Sequence, residues 1–142
     1  MNVNVFFDSN ILIYLYSKTE IEKKLTATAL LNTHDTIFIS TQVCNELVNV
    51  LHKKFKISFV LIQTVLNEIL STTVLSIINY SIIEKALSIA SKYQYSYYDS
   101  LIIASALESN CSILYSEDLQ HNQLIDKQIK IINPFLPLDS KK

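Results

Sequence analysis

The sequence predicts an α/β protein in which a parallel sheet of about five strands is flanked by helices to give three layers. Two observations predict this class. Short apolar segments alternate with longer segments of helical periodicity, a pattern typical of parallel sheets covered on both faces. The chain also has 142 residues, 49% of them hydrophobic and 18% charged, which suits one globular core. We therefore expect a single domain over residues 1–136 and a polar tail at residues 137–142.

The strands are predicted from short apolar runs that end at turn residues. The first run ends at Asp8, and the last ends at Asn133-Pro134, where proline cannot continue a strand. The segment 119–127 is irregular and is assigned to no element. The five predicted strands cover residues 2–7, 36–39, 73–77, 112–115 and 129–132.

The helices are predicted from apolar residues that recur every three or four positions. Ser40 or Thr41 is a suitable N-cap for the helix that follows the second strand. The predicted helices cover residues 10–16, 20–31, 42–55, 58–70, 81–93 and 97–109.

Glycine is absent from the chain. Phosphate sites built on glycine loops, such as Walker A and the dinucleotide fingerprint, are thereby excluded, because they need glycine to bring the backbone close to phosphate. Any phosphate would have to be held by side chains or a metal ion. Left-handed backbone positions fall to asparagine, and Asn32, Asn110 and Asn122 stand where helices or turns are expected to end.

Charge and cysteine content point to a cytoplasmic protein that needs a local feature to bind nucleic acid. The net charge is −1, so no global field attracts phosphate. No apolar stretch is long enough for a membrane span. Cys44 and Cys111 form neither a disulfide framework nor a zinc pattern. The run Lys53-Lys54-Phe55-Lys56 either faces solvent or holds a phosphate backbone.

Two carboxylates occupy positions that favour a ligand site. Asp8 follows the first strand, at the edge where open α/β sheets bind ligands, although taken alone it is better explained as an N-cap. Glu46 lies on the apolar stripe of its helix, three residues after Val43. A carboxylate on such a stripe is costly unless it is paired or metal-bound, so a metal ion, a salt bridge or a position at the edge of the core is expected there.

Two further carboxylates fit the same pattern. Asp99 begins an apolar stripe in the first turn of its helix, where it either interacts with the helix dipole or contributes to a site. Asp118 follows the fourth strand, where a turn residue is also common. Together the four carboxylates cannot all be ionised without a counter-charge, and hard oxygen donors favour Mg²⁺ or Mn²⁺. We therefore expect a divalent cation.

Four segments carry these carboxylates in order along the chain: Phe7–Leu12, Ser40–Leu47, Tyr97–Ala106 and Ile113–His121. In this order and in a chain of this size, they resemble the PIN-domain nucleases, and more particularly the VapC-type toxins of bacterial toxin–antitoxin pairs. The resemblance extends to about Phe135. One departure is Asn122, where relatives often have glycine; asparagine tolerates the same left-handed turn.

The resemblance implies a PIN-like fold and a metal-dependent endoribonuclease. Asp8, Glu46, Asp99 and Asp118 would be its catalytic and metal-binding residues, with Mg²⁺ or Mn²⁺ as the cofactor. Asn10 and Ser116 would be auxiliary polar residues that hydrogen-bond to ligands or water. Glu117 lies next to Asp118 and leaves the identity of the fourth carboxylate open, although the Ser-x-Asp spacing favours Asp118.

The resemblance also implies partners: an RNA substrate, a cognate antitoxin that covers the acidic site, and a second copy in a homodimer. An alternative is a PIN-like module that binds nucleic acid or protein without catalysis. A haloacid-dehalogenase-like phosphatase would also begin with an Asp after a strand. Such enzymes carry a second Asp two residues later, where this chain has Asn10, and the glycine that normally follows is missing.

Overall fold

The structure is a computed structural model in which residues 3–137 are described. The strands are β1 Val5–Phe7, β2 Ile37–Ser40, β3 Val74–Ser76, β4 Ile113–Tyr115, β5 Leu124–Ile125 and β6 Ile129–Ile132. The helices are α1 Ser9–Tyr14, α2 Ile21–Thr33, α3 Thr41–Lys53, α4 Phe59–Leu70, α5 Tyr80–Tyr93 and α6 Tyr97–Glu108. The predicted α/β class is confirmed. Most of the predicted tail, residues 138–142, lies outside the described residues.

The strands form one mostly parallel sheet in the order β3-β2-β1-β4-β6-β5. β1 lies between β2 and β4 and is parallel to both. All three residues of β1 are buried. The chain moves from β1 to β2 and β3 on one side and continues with β4 on the other. This change of direction opens a crevice at the carboxyl end of β1, where doubly wound sheets bind ligands.

A sixth strand, β5, lies in the segment that the sequence left unassigned. It pairs antiparallel with β6 through a tight turn in which Asp126 (φ 49°) and Lys127 (φ 56°) are both left-handed. Asn-Gly is the usual signal for such a turn. Because the turn here is Asp-Lys and the strand has two residues, neither the turn nor the periodicity was visible in the sequence.

The predicted left-handed asparagines are confirmed at two of three positions. Asn110 (φ 55°) and Asn122 (φ 69°) have positive φ. The prediction for Asn32 is wrong, because that residue lies inside α2, which continues to Thr33. The predicted cap at Ser40 is confirmed, since its hydroxyl accepts a hydrogen bond from the Val43 N–H at 3.3 Å.

The core is formed mainly by the strands and by the inner faces of α1, α3 and α6. Val43, Leu47 and Leu51 of α3 are fully buried, which places the predicted stripe of α3 against the sheet. α6 is buried along most of its length and contacts β2, α3 and α5. No helix within residues 3–137 has the length and apolar character required to cross a bilayer.

Candidate active site

Asp8 is the buried centre of the site, with a side chain that is 3% exposed. It follows β1 and is also the N-cap of α1. The predicted capping role is therefore confirmed, and the same residue stays available as a ligand. Its Oδ1 accepts a hydrogen bond from the Ser9 N–H at 2.7 Å. Its Oδ2 accepts one from the Ser116 hydroxyl, also at 2.7 Å. β1, α1 and the end of β4 therefore fix the orientation of this carboxylate.

Glu46 is half-buried on α3 and has neutral donors on both oxygens. The Ser9 hydroxyl donates to Oε1 at 2.7 Å, and Gln42 Nε2, one helical turn earlier, donates to Oε2 at 3.1 Å. The same Ser9 hydroxyl lies 3.5 Å from Asp8 Oδ1. Ser9 thus connects the two carboxylates, and its single proton goes to the nearer oxygen, on Glu46.

Asp118 is exposed and is held from two directions. Asn10 Nδ2 donates to its Oδ2 at 3.2 Å, and its backbone N–H donates to the Ser116 hydroxyl oxygen at 3.2 Å. Ser116, which is fully buried, therefore contacts both Asp8 and Asp118. The structure thus places the two predicted auxiliary residues, Asn10 and Ser116, directly against the carboxylates.

Asp99 lies in the first turn of α6, with its N–H donating to the Ser96 hydroxyl at 3.2 Å. Burial and the negative charge of Asp118 raise the pKa of Asp99, partly offset by Ser96. Asp99 is therefore connected to the other carboxylates by charge, although no direct hydrogen bond to them is described.

The pKa of Asp8 is raised from its ordinary 3.8 to about 7. The largest cause is burial, which penalises the ionised form; the Ser116 hydrogen bond partly opposes it, and the charges of Glu46 and Asp118 add to it. Close to neutral pH, Asp8 is thus divided between its protonated and ionised forms. A cation in the site would favour the ionised form.

Glu117 belongs to a different interaction. Its carboxylate contacts Lys23 Nζ at 2.5 Å and accepts a hydrogen bond from the Tyr14 hydroxyl at 2.6 Å. Hydrogen bonds to Glu117 and Tyr14 raise the pKa of Lys23. Of the two neighbouring acids, Glu117 is therefore neutralised by a lysine, while the Asp118 charge acts on Asp8 and Asp99.

The donors match a hard divalent cation in chemical type, while fewer than three of them are gathered at one point within residues 3–137. All four carboxylates offer oxygen, as Mg²⁺ and Mn²⁺ prefer, and none of them takes part in the ion pairs found within residues 3–137. In the same range, no three acidic, histidine or cysteine side chains are grouped closely enough to hold a metal ion. Mg²⁺ commonly uses only one or two carboxylates together with water and substrate phosphates.

Sequence reasoning missed two residues of this network, Ser9 and Gln42. Gln42 had a readable signal, because residues four apart on a helix are neighbours. The contact of Ser9 with Glu46 joins α1 to α3 across 37 positions of sequence, so only the folded chain reveals it.

The fold and these carboxylates define a class: a doubly wound α/β protein with an acidic site at the carboxyl edge of its central strand. The sequence model of the PIN domain matches residues 5–126. The chain therefore belongs to the PIN domain family, which confirms the family resemblance predicted from the four segments. The comparison with curated proteins gives no significant match.

Several solved structures share this fold. A toxin–antitoxin complex from Klebsiella pneumoniae is 24% identical over 92% of this chain and 98% of that chain, with a TM-score of 0.68. VapC20 of Mycobacterium tuberculosis, described as a toxin that cleaves the sarcin–ricin loop, is 15% identical over 80% of this chain and 91% of that chain, with a TM-score of 0.66. VapBC2 of Rickettsia felis, bound to a promoter DNA fragment, is 19% identical over 90% of this chain and 96% of that chain, with a TM-score of 0.60.

Proposed function

We propose that this protein is a metal-dependent endoribonuclease that hydrolyses phosphodiester bonds in RNA, and that it is the toxin of a type II toxin–antitoxin pair. One observation carries the proposal. Asp8 is buried beside two other carboxylate charges, and no cation among the described residues is paired with it. Strongly perturbed carboxylates of this kind are typical of functional sites.

In this proposal Mg²⁺ or Mn²⁺ is held chiefly by Asp8 and Asp99, directly or through water. Glu46 and Asp118 would hold further waters or orient the nucleophile. A cation bound here would polarise a phosphate oxygen and make an attacking water more acidic.

The protein's own contribution is orientation. The Ser9 N–H and the Ser116 hydroxyl fix both oxygens of Asp8, and the Ser9 hydroxyl and Gln42 fix both oxygens of Glu46. These carboxylates therefore need little rearrangement when a ligand arrives, which is how preorganised sites lower a barrier. Asp118 is exposed and is accessible to an approaching phosphate.

The first test is cleavage of tRNA and mRNA by variants that remove one charge and keep the shape of the side chain. Asp8→Asn and Asp99→Asn should each lower the rate with Mg²⁺ at least a hundred-fold, the order expected when a charge acts on the transition state. Glu117→Gln is the matched control, because its carboxylate is already paired with Lys23. It should cut at close to the wild-type rate.

The assignment fails if the Asp8 and Asp99 variants cut as fast as wild type. It also fails if Glu117→Gln is as damaged as they are, since general instability would then explain the losses. Far-ultraviolet circular dichroism and thermal melts on each variant separate these cases.

The toxin role is supported by three similar structures. One is a toxin–antitoxin complex, one is the VapC20 toxin and one is VapBC2 bound to DNA. We infer that a small antitoxin places a lysine or arginine among the carboxylates, where it meets the same charge requirement as a metal ion. Co-expression with the product of a neighbouring small gene should then relieve toxicity, and continued growth arrest would contradict this. A homodimer and a cytoplasmic location remain predictions.

A second candidate is a module that binds nucleic acid or protein without catalysis. It is favoured by the finding that, in residues 3–137, no three acidic side chains are grouped closely enough to hold a metal ion. The cleavage assay separates the two candidates, because a binding module would show no metal-dependent cutting by the wild-type chain.

A further inference from the structure

The turn between α3 and α4 carries a basic surface with an exposed aromatic ring. We call His52, Lys53, Lys56 and Phe59 the α3–α4 patch. His52, Lys53 and Lys56 line an open cavity of about 440 Å³ together with Ile57 and Ser58. Lys53, Lys56 and Phe59 are exposed. This patch takes no part in the acidic site described above.

The aromatic part of the patch is held rigidly. Phe59 is 62% exposed, and one face of its ring stacks on His52 at 3.9 Å between centroids and an interplanar angle of 20°. His52 is itself fixed, because its Nδ1 lies 3.0 Å from the Ile57 carbonyl and donates to it. A largely exposed ring that is fixed by a stacking contact is suited to stack on the bases of single-stranded nucleic acid.

The charged part of the patch has no described counter-charge. The ion pairs found in residues 3–137 use Lys23, Lys85 and Lys92, and neither Lys53 nor Lys56 is among them. Lys56, whose φ is 59°, lines the cavity together with Lys53.

The patch is connected to the acidic site by one side of α3. Gln42, Glu46, Asn49 and Lys53 follow at spacings of four, three and four residues, which places them in a row along the helix. Asn49 and Lys53 are exposed and Glu46 is half-buried. At 1.5 Å per residue, Lys53 lies about 10 Å beyond Glu46 along the axis, so one extended strand can contact both.

We propose that the α3–α4 patch is a second contact for the RNA strand, with phosphates on Lys53 and Lys56 and a base on Phe59. The inference rests on the proposed function, because it takes RNA as the substrate. Charge complementarity favours phosphate, and the fixed open ring favours a nucleobase over an acidic peptide. A strand bound here would extend along α3 toward the carboxylates, so the patch would select single-stranded segments next to the cleavage point.

The test measures binding without cleavage. A fluorescent single-stranded oligouridylate is titrated with the full-length chain in a chelator, and anisotropy is followed at several salt concentrations. Lys53→Ala/Lys56→Ala should weaken binding about ten-fold and reduce the salt slope by about 1.4, since each phosphate contact on a single strand contributes roughly 0.7. Phe59→Leu should also weaken binding about ten-fold while leaving the salt slope unchanged, because stacking releases no counterions.

Lys24→Ala/Lys130→Ala is the matched control, because it removes the same charge from two exposed lysines outside the patch. It should change affinity less than two-fold. The inference is overturned if the control and patch variants lose equal affinity, if the wild type shows no salt-dependent RNA binding in chelator, or if polyglutamate competes as well as RNA. The last result would assign the patch to an acidic protein. Loss of binding in chelator is separate from loss of metal-dependent cutting, so this inference and the proposed function can fail independently.

Discussion

Asp8 and Asp126 are two aspartates of one domain with opposite electrostatic surroundings. Burial opposes ionisation of Asp126, but hydrogen bonds from Tyr93, Lys92 and Lys85 outweigh it and lower its pKa. The two lysines approach its carboxylate to 3.2 and 3.3 Å. Asp8 is more deeply buried and has neighbouring carboxylates instead of lysines, so its pKa rises to about 7.

The difference in electrostatic surroundings distinguishes a structural carboxylate, whose charge is balanced within the fold, from a carboxylate whose charge is left for a ligand to balance. The charge of Asp126 is neutralised within the fold, and it ties the β5–β6 turn to α5. The charge of Asp8 is not neutralised by any described residue, so its cost remains until a proton or a cation arrives. Perturbed groups without an internal partner are therefore better indicators of function than paired ones.

The largest expected effect is on the stability of the metal-free protein. Asp8→Asn should raise the free energy of unfolding by about 2–4 kcal/mol at pH 8, because it removes a buried charge. The pKa of Asp8 is raised by folding, so the folded state binds the extra proton, and the contribution of Asp8 to wild-type stability falls as pH rises from about 4 to 7. The free energy of unfolding of Asp8→Asn should therefore exceed that of the wild type only slightly near pH 4 and by the full amount above pH 7.

Chemical denaturation in chelator across this pH range measures the effect, with Asp126→Asn as the comparison variant. If Asp8→Asn is destabilising at pH 8, the carboxylate has a compensating partner and the contrast between the two aspartates is lost.

A smaller effect of opposite sign is expected at Asp126. Asp126→Asn should lower the free energy of unfolding by about 1 kcal/mol at pH 7, because it removes two partly exposed ion pairs and keeps a residue that tolerates positive φ. The pKa of Asp126 is lowered by folding, so its contribution exists above pH 4 and disappears as pH falls through the folded pKa. Denaturation at a series of pH values from 7 downward should show the loss becoming smaller once the pH falls below about 4.

The smallest expected effect concerns cation binding. Because Asp8 is about half protonated near pH 7, a cation that it ligates should displace roughly half a proton. Affinity for Mn²⁺ should then rise about three-fold per pH unit in this region. Calorimetry in two buffers of different ionisation enthalpy measures the released proton. Equal heats in both buffers would place the cation away from Asp8.

The sequence predicted most of the fold because local patterns determine it. The helix from residue 42 was predicted from a cap at Ser40 or Thr41 and from the stripe of Val43, Leu47, Val50 and Leu51, all of which are local. β5 was missed because it has two residues and its turn lacks the usual Asn-Gly. The prediction for Asn32 was wrong because α2 continues to Thr33 and ends at His34, whose N–H donates to the Leu30 carbonyl.

The sequence by itself determined the types of residue in the candidate site: four carboxylates placed after strands or near helix starts, and a chain without glycine that excludes loop-based phosphate sites. The tertiary structure decided their environments. It paired Glu117 with Lys23, left the charge of Asp118 acting on Asp8 and Asp99, and placed the Ser9 hydroxyl between Asp8 and Glu46. Burial and Coulomb interactions depend on distances between segments that are far apart in sequence, so these environments exist only in the folded chain.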